Sequence, residues 1–217
     1  MDTPFPDPYP ARAALPCPEE APAWFDRIAG ARWSPYGYAD TPVPDRVLRT
    51  LFGAALLTPS SANEQPWRFV VGRRGEGTYD RILATLTEPN QAWARFAPVL
   101  GLSFARMTRE KSGAPNGTAH RDTGAAMLML ALAATSRGLQ LHQMAGFDPV
   151  AARAVFAVPE GFEPDVAFAL GTMAEEPPTG LSEHFAERDA ARRGRRPLDE
   201  VLFGGIWGEP LGRGDER

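Results

Sequence analysis

Apolar positions in the chain recur with two periods, and each predicts a different element. Across residues 45–57, Leu48, Leu51, Phe52, Ala55 and Leu56 keep the spacing of one helix face. Residues 79–86 repeat it with Ile82, Leu83 and Leu86, and residues 149–156 give a further short helix. Residues 24–28 predict another short helix, stopped by Gly30. Strands are expected where short apolar runs are bounded by turn residues: 68–71, 98–104, 139–144, 164–171 and 198–203. Residues 122–138 fit neither amphipathic pattern. Gly124 to Ala134 are apolar on almost every face, as in a central helix, and Met127 and Met129 read as core filler. The small residues there would let another helix pack closely, including one from a second subunit.

The polar interruptions carry the candidate chemistry. Residues 58–66 form a turn dense in small polar side chains, Ser60, Ser61, Asn63 and Gln65, stiffened by Pro59 and Pro66. It reads either as a capped connection whose serines satisfy loose backbone groups, or as a rigid loop holding the polar edge of a heterocycle. In residues 31–38, Arg32 beside Ser34 could hold a phosphate through charge plus a hydroxyl donor, or Arg32 could be an ordinary surface arginine. Asn90 reads first as a helix cap, and His142 as a satisfied structural histidine. Residues 106–120 are expected to form a loop or lid, and residues 177–189 a connector. Arg192, Arg193, Arg195 and Arg196 cluster in a way that suits a local anion site or a solvated tail.

Composition narrows the function classes. The chain has 217 residues, enough for one domain with a sizeable core, and a net charge of −4. That charge offers no broad basic field for nucleic acid or an anionic membrane, and no apolar run reaches the length of a bilayer span. One cysteine, Cys17, excludes an intramolecular disulfide framework. Residues 1–22 hold seven prolines and read as an extended arm with no charged-then-apolar signal pattern, so cytoplasmic residence is the default expectation. No acidic or cysteine cluster suggests a metal site, and the glycines of residues 72–77 lack the lysine of a phosphate-binding P-loop.

Five stretches in order carry a resemblance. They are Arg32-Trp33-Ser34-Pro35, the run Pro59-Ser60-Ser61-Ala62-Asn63-Glu64-Gln65-Pro66-Trp67, the helix after Asp122, Met144-Ala145-Gly146-Phe147-Asp148, and Arg195-Arg196-Pro197-Leu198-Asp199-Glu200-Val201. Together they resemble the nitroreductase family of FMN-dependent flavoproteins over residues 23–207, with the arm (1–22) and a polar tail (208–217) outside it. The resemblance implies an α+β fold, a mixed β-sheet flanked by helices, in a homodimer whose C-terminal strand is exchanged between subunits. It implies FMN at the subunit interface and NADH or NADPH as electron donor. Flavin N5 would pass hydride by a ping-pong scheme to a nitroaromatic, a quinone or a related small-molecule acceptor. A flavin-binding dimer without turnover is the alternative, as is another flavin reaction such as dehalogenation or enoyl reduction.

By the same resemblance, Arg32, Trp33 and Ser34 form the FMN-phosphate turn, joined by Arg193 and Arg195. Pro59, Ser60, Ser61, Asn63 and Gln65 belong to the loop that meets the flavin from the second subunit. Asn90 lies near the pyrimidine edge, and the backbone of Met144, Ala145 and Gly146 beside the ring. Tyr36 stands where the family usually has a further cation. A phenol can hydrogen-bond a phosphate but brings no charge, so FMN would be held less tightly unless Arg192 or Arg196 substitutes.

Overall fold

The computed structural model describes residues 23–191 and 193–212. The proline-rich arm with Cys17, the candidate Arg192 and the tail beyond residue 212 lie outside the described residues.

Four strands form one sheet: β1 (Trp67–Arg73), β2 (Val99–Arg106), β3 (Gln140–Met144) and β4 (Phe162–Gly171), in the order β1-β2-β4-β3. All three pairings are antiparallel, so the parallel component of the expected mixed sheet is not found among the described residues. The central pair β2–β4 is buried on both faces, and its side chains alternate between two cores. Leu100 and Leu102, with Ala167 and Ala169, face a core completed by Ile82 and Trp93. Val99, Phe168 and Leu170 face the opposite core, filled by Leu51, Met127 and Leu130. Helices α3 (Gly77–Thr85), α4 (Glu88–Ala94) and α6 (Pro149–Val155) contribute to the first core; α2 (Asp45–Ala55) and α5 (Ala119–Thr135) build the second. The result is a three-layer α+β sandwich. Gly101 is needed at its centre: a Cβ there would sit 2.1 Å from Cζ of Phe168, its register partner across β2–β4.

Several elements depart from the sequence expectation. Helix α1 (Ala23–Ala31) continues through Gly30, which opposes nothing there. Asn90 is inside the first turn of α4, whose N-cap is Thr87, so it is not the cap. Helix α5 is central but not covered all round: Gly124, Ala125 and Leu128 are exposed along one side. Residues 106–118 are tied down by Met107 N–H to Gly161 O (2.7 Å) and Arg109 N–H to Ala114 O (2.8 Å). The expected connector contains helix α7 (Glu183–Ala190). Residues 198–203 form no strand; Leu198–Glu200 is a single 3-10 turn, and Phe203 makes only an isolated bridge to Pro210. Residues 193–202 are all exposed. Among the described residues no helix is long and apolar enough to cross a membrane.

Candidate functional site

The turn after α1 is fixed from two neighbouring elements. Trp33 N–H donates to Gln140 Oε1 (2.7 Å), and Pro35 O accepts from His142 Nδ1 (2.9 Å), so β3 holds the turn from one side. From the other side, the Asp189 carboxylate of α7 accepts from Tyr36 N–H (2.9 Å) and Gly37 N–H (2.7 Å). Gly37 leaves α7 room, because a Cβ there would approach Asp189 Oδ2 to 3.4 Å and Pro178 Cδ to 3.0 Å. Burial pushes the Asp189 carboxyl above its usual range and outweighs the hydrogen bonds from Tyr36, Gly37 and Trp33.

This arrangement opens a cleft of about 260 Å³ lined by Arg32, Trp33, Ser34, Tyr36, His142, Arg188, Arg193 and Arg195. Four arginines line it, although the whole chain is acidic. Arg32 also donates to Ser34 Oγ (3.2 Å). The cleft floor is aromatic: Trp93 stacks on His142 with centroids 4.3 Å apart, and Tyr36 meets both rings edge-on. His142 is pushed down to about 4, first by burial and further by Arg188 and Arg32, against the opposing pull of Pro35 O. It is therefore neutral near pH 7. Because Pro35 offers only an acceptor, the hydrogen sits on Nδ1 and the lone pair on Nε2.

A second group lies at the end of β3, connected to the first through Trp93. Asn90 Nδ2 donates to Gly146 O (2.8 Å), and Asn90 Oδ1 accepts from Trp93 Nε1 (3.3 Å). Thr87 N–H also donates to Gly146 O (3.0 Å), whereas Gly146 N–H donates to no described residue. A Cβ at Gly146 would meet Asn90 Nδ2 at 2.6 Å and Thr87 Oγ1 at 2.9 Å, so a larger residue would displace the Asn90 amide. The Met144 side chain is buried in the core, which leaves its backbone for the site; Ala145 is exposed.

The 58–66 loop lies elsewhere. Asn63 and Gln65 line a separate cleft with Trp67, Phe69 and Val71 of β1. Since β1 and β3 are the two outer strands, three strand spacings, about 14 Å, separate the two edges. The loop is strained and pinned. Ala62, Asn63 and Gln65 have φ of 53°, 56° and 45°. Ser61 N–H donates to Asp122 Oδ2 (2.9 Å), Gln65 N–H to Ser60 Oγ (3.0 Å), and Glu64 pairs with Arg106 (3.2 Å). Pro59 is exposed at its start. One chain thus brings Arg32, Trp33, Ser34, Tyr36, Arg193 and Arg195 together, places Asn90 and Met144–Gly146 next to them, and keeps the loop residues apart. Arg196 faces Glu200 (3.2 Å) rather than the cleft. The sequence reading did not single out His142 and Arg188, which line the cleft, or Asp189, which holds its turn. The spacing of Phe185, Arg188 and Asp189, three and four apart, was the signal available for the last two.

Comparison with known proteins converges on one group. The profile of the Nitroreductase family matches residues 29–97. A Methanothermobacter thermautotrophicus protein provisionally named NADH dehydrogenase/NAD(P)H nitroreductase is 31% identical, over 65% of this chain and 73% of its own length. An uncharacterised 15.4 kDa protein of Mycolicibacterium smegmatis is 38% identical over 66% of this chain and 99% of its own. Among solved structures, an oxidoreductase containing FMN superposes with a TM-score of 0.79 at 32% identity, covering 85% of this chain and 93% of that one. An FMN complex of a provisionally assigned nitroreductase from Desulfovibrio desulfuricans gives 0.64 at 25% identity, covering 87% and 99%.

Proposed function

The chain belongs to the nitroreductase family, and from that premise we propose that it is an FMN-dependent oxidoreductase carrying hydride from NAD(P)H to electron-poor acceptors such as nitroaromatics or quinones. The observation that carries this reading is the arginine-lined cleft at the β3 edge, continuous through Trp93 with the Asn90–Gly146 contact. Its donors suit a phosphate monoester: guanidinium groups give charge and forked hydrogen bonds, and Ser34 adds a hydroxyl. Bound FMN would supply a reversible hydride acceptor. Arg32, Ser34, Arg193 and Arg195 would hold its phosphate. Asn90 would fix the 144–146 backbone and keep its second amide hydrogen for the ring's polar edge. Gly146 N–H would remain for a ring acceptor.

The proposal includes a homodimer in which residues 23–207 act as one flavin-binding domain. Three observations support it. The exposed side of α5 is made of Gly124, Ala125 and Leu128. Leu198, Val201, Ile206 and Trp207 are exposed, Trp207 to 90%. The loop carrying Pro59, Ser60, Ser61, Asn63 and Gln65 leads into β1, at the sheet edge opposite the arginine cleft, and so would meet a flavin of the neighbouring subunit. The C-terminal segment would find its missing strand partner in the second subunit.

The test is an absorption spectrum of the purified protein, before and after anaerobic NADH or NADPH. A flavin spectrum that bleaches with one of the two is expected. FMN-loaded protein that stays oxidised with both would leave a redox-silent flavin binder as the correct reading. A panel of nitroaromatics, quinones, haloaromatics and enones in reoxidation experiments then selects the reaction class.

A further inference from the structure

We propose that Arg188, on helix α7, supplies to the anion cleft the positive charge that Tyr36 does not bring. The inference rests on the reading of the cleft as the FMN-phosphate site. Tyr36 stands in the phosphate turn, and a phenol is not a cation. The Arg188 guanidinium carbon lies 4.9 Å from the centroid of the Tyr36 ring, and Arg188 lines the same cleft as Arg32, Arg193 and Arg195. The ring itself is fixed. Phe185 stacks on it at 4.9 Å, and Trp93 and His142 meet it edge-on at 5.1 and 4.8 Å. The phenol is thus a platform that orients a cation by ring attraction.

Arg188 is not committed elsewhere. It enters no ion pair with a described residue, and its buried Nε has no hydrogen-bond partner among them. The neighbouring Asp189 is occupied by the Tyr36 and Gly37 N–H groups, which ties α7 to the turn and sets the distance between Arg188 and the ring. Of the two substitutes expected from sequence, Arg196 is turned to Glu200 and Arg192 lies outside the described residues. The charge has moved from the turn to a helix packed on it.

The experiment is an FMN and riboflavin titration of the flavin-stripped full chain, read by quenching of flavin fluorescence. Riboflavin lacks the phosphate and reports ring binding alone. Arg188→Met keeps the packing of the stem and removes the charge. It should weaken FMN roughly ten- to a hundredfold, as expected for one charge-assisted contact, and leave riboflavin within about twofold. Arg188→Lys should recover most of the loss. Tyr36→Arg combined with Arg188→Met returns a cation to the turn and should also restore FMN affinity. FMN affinity unchanged in Arg188→Met, or equal losses for FMN and riboflavin, would overturn the proposal while leaving the flavin reading intact. Wild-type protein that binds neither flavin would overturn the flavin reading itself.

Discussion

Asp122 offers the sharpest test of how the 58–66 loop is held. The carboxylate is buried, with one oxygen accepting from Ser61 N–H (2.9 Å) and Thr118 Oγ (3.0 Å) and the other from the Arg121 guanidinium (2.8 Å). Burial alone would raise its pKa. The hydrogen bonds from Ser61, Arg121 and Thr118, with the Arg121 charge, outweigh that and hold it below the usual range. The loop it anchors stores strain at Ala62, Asn63 and Gln65, about 1 kcal/mol for each left-handed residue. Asp122→Ala removes two charge-assisted bonds to the loop and the helix start, each worth about 1.5–3 kcal/mol. Local relaxation of the strain returns part of this, so a net loss of about 2–3 kcal/mol is expected, with Asp122→Asn losing about half. Urea unfolding at pH 7 gives the global number, and amide exchange at residues 60–66 gives the local one. Because the folded pKa is depressed, the contribution is complete above the unfolded value and fades as pH falls through the folded one. The gap between wild type and variant should therefore close in acid. A loss under about 0.5 kcal/mol with unchanged loop protection would refute the anchoring argument.

Other outcomes follow from the same structure. Gly101→Ala places a Cβ 2.1 Å from the Phe168 ring and should cost about 1–3 kcal/mol in denaturant unfolding. His142 has a folded pKa of about 4 against 6.5 for the free side chain, so the unfolded state binds more protons between these values. Stability should fall as pH drops from 6.5 to 4, by up to about 1.4 kcal/mol per unit, and His142→Gln should flatten that slope. Arg195→Ala should weaken FMN binding by about 1–3 kcal/mol in a fluorescence titration; an unchanged Kd would remove Arg195 from the site. Deleting residues 198–217 should shift the protein towards monomer in light scattering, and a deletion variant that stays dimeric would exclude the C-terminal segment as the clasp.

How much of this was legible in the sequence depends on where the energy lies. The four strands follow from short apolar runs bounded by turn residues and helix α2 from period-3.6 spacing, because their side chains fill the two cores. Helix α7 was not legible. Glu183–Ala190 has no buried residue, and only Phe185 is packed against the core from it, so no apolar stripe marks it. Arg188 and Asp189 were hidden with it. His142 read correctly as a satisfied histidine, but its place on the cleft floor depends on a stack with Trp93, forty-nine positions away. The segment 198–203 carried a strand-like pattern but pairs with none of the described strands, and pattern alone cannot say which edge, if any, a segment will join.

The outer strands β1 and β3 place the strained loop and the arginine cleft at opposite edges of one sheet. In the proposed dimer this separation makes cofactor and subunit association thermodynamically linked. A flavin that touches both chains binds the pair and not the free subunit, so its occupancy becomes a reporter of protein concentration. Free FMN at a hundred times its Kd would add about 2.7 kcal/mol per site to the assembled state. Dilution should then release cofactor and subunits along a single curve, and excess flavin should move that curve to lower protein concentration.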